Sequence, residues 1–126
     1  MASAQDARTL IGQITAAYNA RDTDVLMGLY QPNVVYWSTI GEPRFGIDAV
    51  RRNIDVLHRR FPDERMSAKT IITDGDVIVV EFESTGTNPA DPGYTIEFTE
   101  VFELRDGMVA SVKVYLDPQD VEQEAL

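Results

Sequence analysis

The 126-residue chain has no cysteine, one histidine and one tryptophan. Without cysteine there are no disulfides and no thiol chemistry, and the redox compartment leaves no mark on the sequence. A single histidine excludes a His-rich metal site; only carboxylates remain for a hard cation, so neither a metal nor a cofactor is expected. Positive charge is also scarce: 11 Lys and Arg stand against 21 Asp and Glu, a net charge of −10. The basic clusters are confined to Arg51–Arg52 and His58–Arg60. The chain therefore lacks the positive face that nucleic acid or an anionic membrane requires, and neither is an expected partner. No apolar run approaches a membrane span, and the opening MASAQDARTL carries no apolar signal core, so a soluble cytoplasmic protein is expected.

What the chain does have is 44% hydrophobic residues, enough for one domain over residues 1–126 with its own core. Leu10, Ile11, Ile14, Ala17 and Tyr18 recur at helical spacing, predicting a helix over about Ala4–Ala20. Asp22 or Thr23 caps a short second helix carrying Val25, Leu26, Leu29 and Tyr30, limited by Pro32. The β-branched and aromatic run Val34–Ser38 reads as a strand, and TIGEPRFG as a loop. Val50, Ile54, Leu57 and Phe61 form one stripe of a third helix, Ile47–Phe61, closed by Pro62. The period then changes from 3.6 to 2, with strands at Ser67–Thr73, Val77–Thr85, Tyr94–Leu104 and Met108–Leu116. Turns at Asp74–Asp76 and Arg105–Gly107 make hairpins, and Gly86–Gly93 makes a longer loop. Helices followed by a mostly antiparallel sheet define an α+β fold, a curved sheet wrapped on helices as a cone open at one end.

The strand YTIEFTEVFEL contains one carboxylate out of place. Tyr94, Ile96, Phe98, Phe102 and Leu104 share an apolar face, and Glu100 falls on it between two phenylalanines. Its neighbour depends on the following hairpin. A two-residue loop, Asp106-Gly107, sets Glu100 opposite Lys113, where the pair neutralises itself. A three-residue loop with Gly107 in the left-handed region sets it opposite Val112. The three-residue loop also aligns Phe98, Phe102 and Leu104 with Val114, Ala110 and Met108, and register follows the hydrophobic pattern, so this arrangement is expected. Glu100 then stands in an apolar wall, where burial raises a carboxyl pKa.

The segments NARDTDVLMGLYQPNVVYW, GEPRFGIDAVRRNI and FELRDGMVASVKVYLDP resemble the ketosteroid isomerase and SnoaL-like proteins of the nuclear transport factor 2-like superfamily, over about Leu10 to Pro118. The resemblance implies a cone with an apolar pocket, often in a homodimer that meets through the outer sheet face. In ketosteroid isomerases a carboxylate base lies on the first strand, and the matching position is Ser38. The oxyanion tyrosine of the first helix matches Ile14, and the second, protonated acid matches Glu100. A pocket-lining aromatic at the end of the second helix matches Tyr30. The acid is thus present without the base or its partner tyrosine, which argues against steroid isomerisation by that mechanism. The Asp–Arg–Asp set of limonene-epoxide-hydrolase-like members also has no match, because the two long strands lack arginine.

These readings nominate Glu100, Tyr36 and Ser38 for chemistry. Tyr30, Tyr18, His58, Phe98, Phe102, Val112 and Val114 are expected to line the substrate pocket. Each has a purely structural alternative: Glu100 as a hydrogen-bonded buried carboxyl, Tyr36 as core, His58 as helix surface beside Arg59 and Arg60. Trp37 faces away from Tyr36 and Ser38 and belongs to packing. Asp117 in DPQD reads as a helix cap rather than an acid. The expected function is cofactor-independent acid/base chemistry, of isomerase, dehydratase or cyclase type, on a small, largely apolar carbonyl compound. The alternative is a non-catalytic small-molecule binder.

Overall fold

The computed structural model describes residues 3–88 and 90–120. Helix α1 (Ala4–Asn19) begins with a capping box, in which Ser3 and Asp6 exchange side chain–backbone hydrogen bonds. Helix α2 (Thr23–Met27) is capped by Asp22, and helix α3 (Ile47–Arg60) follows β2 directly. The strands are β1 (Tyr30–Ser38), β2 (Arg44–Phe45), β3 (Arg65–Asp74), β4 (Val77–Thr85), β5 (Thr95–Arg105) and β6 (Met108–Tyr115). They form one curved, unclosed sheet in the order β2-β1-β6-β5-β4-β3. All neighbours are antiparallel except β1 and β6. α1 packs on β3 and α3 on β1. The core between them includes Ile11, Leu26, Val34, Val50, Ile78, Val80, Phe82 and Phe102. No helix among the described residues is long and apolar enough to cross a membrane.

Three local readings are corrected. Tyr30 does not end the second helix; it opens β1, which begins four residues before the expected Val34. Pro32 is tolerated inside this strand because the pairing with β6 is interrupted between Tyr30 and Val35, so no ladder hydrogen bond is lost. The expected loop around Arg44 contains a two-residue strand paired with Val35 and Tyr36.

The third correction concerns Glu100. The turn has two residues, not three: Arg105 pairs with Met108, and Asp106 (φ 54°) and Gly107 (φ 76°) both occupy the left-handed region of a type I′ turn. That turn alone would set Glu100 opposite Lys113. A β-bulge intervenes, because Leu104 pairs with Val109 but Glu103 pairs with Ser111, leaving Ala110 as the extra residue. The slip by one residue restores the hydrophobic pattern. Glu100 faces Val114, neither Lys113 nor the expected Val112, and Phe102 faces Val112. On its other side Glu100 pairs with the buried Val80.

Candidate functional site

Between the sheet and the helices lies a cavity of about 530 Å³. Of the residues nominated from the sequence, Tyr18, Tyr30, Tyr36, Ser38, Phe98, Glu100 and Val114 line it. Phe102 and Val112 do not; both are fully buried in the core next to Glu100. His58 is also buried rather than on the helix surface, and it packs its ring on Tyr18 at 4.5 Å without reaching the cavity. Trp37 faces the opposite side of the sheet and packs on Tyr115, with ring centroids 5.3 Å apart. Asp117 accepts a hydrogen bond from the Gln119 backbone N–H at the start of a short 3₁₀ turn, Pro118–Asp120, and acts as a cap. The rest of the helix expected there lies outside the described residues.

The strand alternation explains the inward set. Phe98 and Glu100 share the concave face of β5, and Phe98 stacks on Phe82 of β4 at 5.5 Å. Tyr36 and Ser38 take the same face of β1 through their pairing with Val112 and Val114. The Ser38 hydroxyl accepts the Ile40 backbone N–H at 3.2 Å, which fixes the start of the loop leading to β2.

Glu64 was not singled out from the sequence, and it is the second acid of the cavity. It sits in the connection between α3 and β3, is 7% exposed and lines the same space as Glu100. Tyr18 donates its hydroxyl hydrogen to Glu64 Oε1 at 2.6 Å, and Ser84 donates to Oε2 at 2.8 Å. Each oxygen thus meets one donor, the arrangement that suits an acceptor-only carboxylate. The connection itself is held by Arg21, whose guanidinium donates to the carbonyls of Asn19, Phe61, Pro62 and Glu64. Gly86, at φ 82°, lets β4 approach closely, since a Cβ there would lie 2.2 Å from the Asp63 carbonyl oxygen. An isolated glutamate in FPDER carries no periodic signal; only the long-range approach of Tyr18 and Ser84 gives it a role.

Burial sets the Glu100 carboxyl apart from an ordinary glutamate. Burial, and secondarily the Glu64 charge, push the Glu100 carboxyl up to about 8. Among the described residues no hydrogen bond reaches Glu100 to oppose this. Burial, then the Glu100 charge, also raises the phenols of Tyr30 and Tyr36. At neutral pH the cavity therefore presents a protonated carboxyl and neutral phenol groups as hydrogen-bond donors. Such donors in a mostly apolar site polarise a carbonyl and stabilise an enolate or other oxyanion. The His58 imidazole is lowered by burial and by Arg21, against the smaller opposing influence of Asp55 and the Tyr18 backbone. Among the described residues no three His, Asp or Glu side chains group as metal ligands.

Comparison with known proteins agrees with this architecture. Residues 11–112 match the SnoaL-like domain family. Among solved structures, a putative polyketide cyclase from Sinorhizobium meliloti is 22% identical, with TM-score 0.75, covering 84% of this chain and 93% of that one. A nuclear transport factor 2-like protein of unknown function from Burkholderia pseudomallei is 18% identical, with TM-score 0.80 and coverages of 89% and 91%. A hypothetical protein with a ketosteroid isomerase-like fold from Catenulispora acidiphila, in complex with trimethylamine, is 15% identical, with TM-score 0.79 and coverages of 89% and 88%. At these identities the likeness is one of fold. No curated protein matches the chain.

Proposed function

Starting from a chain that belongs to the SnoaL-like domain family, we propose that its cavity performs cofactor-independent acid/base chemistry on a small, largely apolar carbonyl compound. The reaction is an isomerisation, dehydration or cyclisation through an enol or enolate. One observation carries this reading: Glu100, held protonated to about pH 8, shares a single cavity with a second carboxylate, Glu64. Two acids in environments that differ this way can divide the roles of proton donor and proton acceptor. Glu100 donates to the carbonyl oxygen, with Tyr30 and Tyr36 as further donors. Glu64 takes the proton from carbon, standing in for the carboxylate that Ser38 does not supply. Ser38 orients the substrate.

The test is solvent-deuterium exchange at the α-carbon of an enolisable bicyclic ketone, 2-tetralone, followed by NMR. Wild-type protein accelerates exchange above buffer, and Glu100→Gln and Glu64→Gln each remove the acceleration. Exchange at the buffer rate with bound ketone favours the second reading, a non-catalytic binder. That reading is supported by the fact that both Glu64 oxygens are already engaged by hydroxyls. We further propose that the protein works as a homodimer that meets through the convex face of the sheet.

A further inference from the structure

Three arginines reach the cavity from its open side. Arg44 comes from β2, and Arg52 and Arg60 come from α3, where with Val56 they form one stripe at spacing i, i+4, i+8. Arg52 and Arg60 are exposed while lining the cavity, which places them at its mouth rather than in its depth. Their neighbour Arg51 points elsewhere and pairs with Asp24 at 2.8 Å. Among the described residues no carboxylate lies within ion-pair distance of Arg44, Arg52 or Arg60, although acids outnumber bases 21 to 11 in the chain. One Arg44 nitrogen donates to the Glu42 carbonyl, and the Arg44 charge is felt as far in as the Tyr36 hydroxyl. Among the described residues, Glu42 is the one acid that lines the cavity besides Glu64 and Glu100.

The depth of the cavity is the opposite. It is walled by Ile14, Leu26, Ile54 and Phe98 and contains Glu64 and Glu100. An anion placed there would lose its hydration and meet like charge. A ligand that satisfies both ends has an apolar body and one negative group, and it can enter in only one direction.

We infer that the ligand of this cavity is a carboxylate-bearing, otherwise apolar molecule, whose carboxylate rests on Arg44, Arg52 and Arg60 at the mouth while its carbonyl end reaches Glu100. The inference rests on the pocket reading above and adds the charge and orientation of what the pocket takes. The arginines hold and orient the substrate; they take no part in proton transfer.

The experiment measures binding of three eight-carbon probes, octanoate, octanol and octyltrimethylammonium, by calorimetry at pH 7 and low salt. Octanoate is expected to bind about tenfold tighter than octanol, the scale of two or three partly exposed charge contacts. The advantage should shrink as salt is added. In Arg52→Gln/Arg60→Gln the advantage should fall to about twofold or less, while octanol binding stays as in wild type. Both side chains are exposed, and a thermal melt checks that the variant is folded; Arg60→Glu is a second variant, expected to bind octanol better than octanoate. Octanoate no tighter than octanol, or an advantage that survives the double substitution, overturns the inference and leaves the pocket reading standing. Tightest binding of octyltrimethylammonium overturns it in favour of a cation drawn to the acids that line the cavity with Glu64. No binding of any probe overturns the pocket reading and this inference with it.

Discussion

The Tyr18 hydroxyl donates to the Glu64 carboxylate at 2.6 Å across 46 residues of chain, joining α1 to the connection before β3. Ser84 on β4 completes the set from the other side. Tyr18→Phe leaves one buried carboxylate oxygen without its donor, and the expected loss of stability is about 1–3 kcal/mol. Ser84→Ala should cost a similar amount. The two changes share one acceptor group, so their effects should not add. Urea denaturation of the two single variants and the double variant measures the coupling; strict additivity would mean that Glu64 is not held by both hydroxyls.

Glu100 makes stability depend on pH in a stated direction. Its folded pKa, about 8, lies above its ordinary value of 4.5. Between these values the unfolded chain has released the proton that the folded chain retains. Stability is therefore fully present below about pH 4.5 and falls as pH rises to about 8, beyond which this group adds no further slope. Glu100→Gln removes the titrating proton and should flatten the melting temperature over that window. Wild type and variant with parallel pH profiles would show that Glu100 titrates normally.

Part of the upward push on Glu100 comes from Glu64. Glu64→Gln removes that charge, so the Glu100 carboxyl should titrate at a lower pH than in wild type. It should still titrate above 4.5, because burial is the larger cause. Carbon-detected NMR of the Glu100 carboxyl through a pH series reads both statements at once. An unchanged midpoint would mean that the two acids do not sense each other and cannot divide the roles of donor and acceptor.

Deletion of Ala110 tests the bulge. Without the extra residue, the two-residue turn runs straight into the same ladder, with Glu103 opposite Ser111 and Glu100 still opposite Val114, and the hairpin loses only the local bend and twist of the bulge. The shortened chain should keep a cooperative thermal transition but melt at a lower temperature than wild type, because β6 loses the bend that fits it to the curved sheet. A deletion variant that melts like wild type would show that the bulge is dispensable.

Much of the fold is legible in the sequence because it rests on periodicity. The stripe of α3, the alternation of β4 and β5 and the helices-then-sheet order all follow from spacing alone. Glu100 was legible for the same reason, as a break in an otherwise apolar row. Its true neighbour was not, because two different turns with and without a bulge all satisfy local rules, and only packing across the sheet selects Val114. Tyr30 was misplaced because Leu26, Leu29 and Tyr30 continue a helical spacing into what is the first residue of a strand. Glu64 stayed hidden because a single acid between two elements has no period; its role comes from residues 46 and 20 positions away.

On the convex face, Ile72, Val79, Val101, Lys113 and Trp37 form one row in register across five strands. Four of the five are apolar, and Ile72 is 58% exposed. Such a face suits a second copy of the chain. Val79→Lys/Val101→Lys should shift the sedimentation coefficient from dimer to monomer without altering α-carbon exchange. A wild-type protein that sediments as a monomer at high concentration would remove the homodimer proposal.

The position of β6 in the sheet has a consequence for how the protein is made. It is the last of the described strands along the chain, yet it lies between β1 and β5. Until residues 108–115 emerge from the ribosome, β1 and β2 have no edge to join, and the acid face of β5 has no wall beside it. The slowest event in folding should be the closure of the loop that joins β1 to β6, some seventy residues apart, and contacts that distant in sequence form slowly.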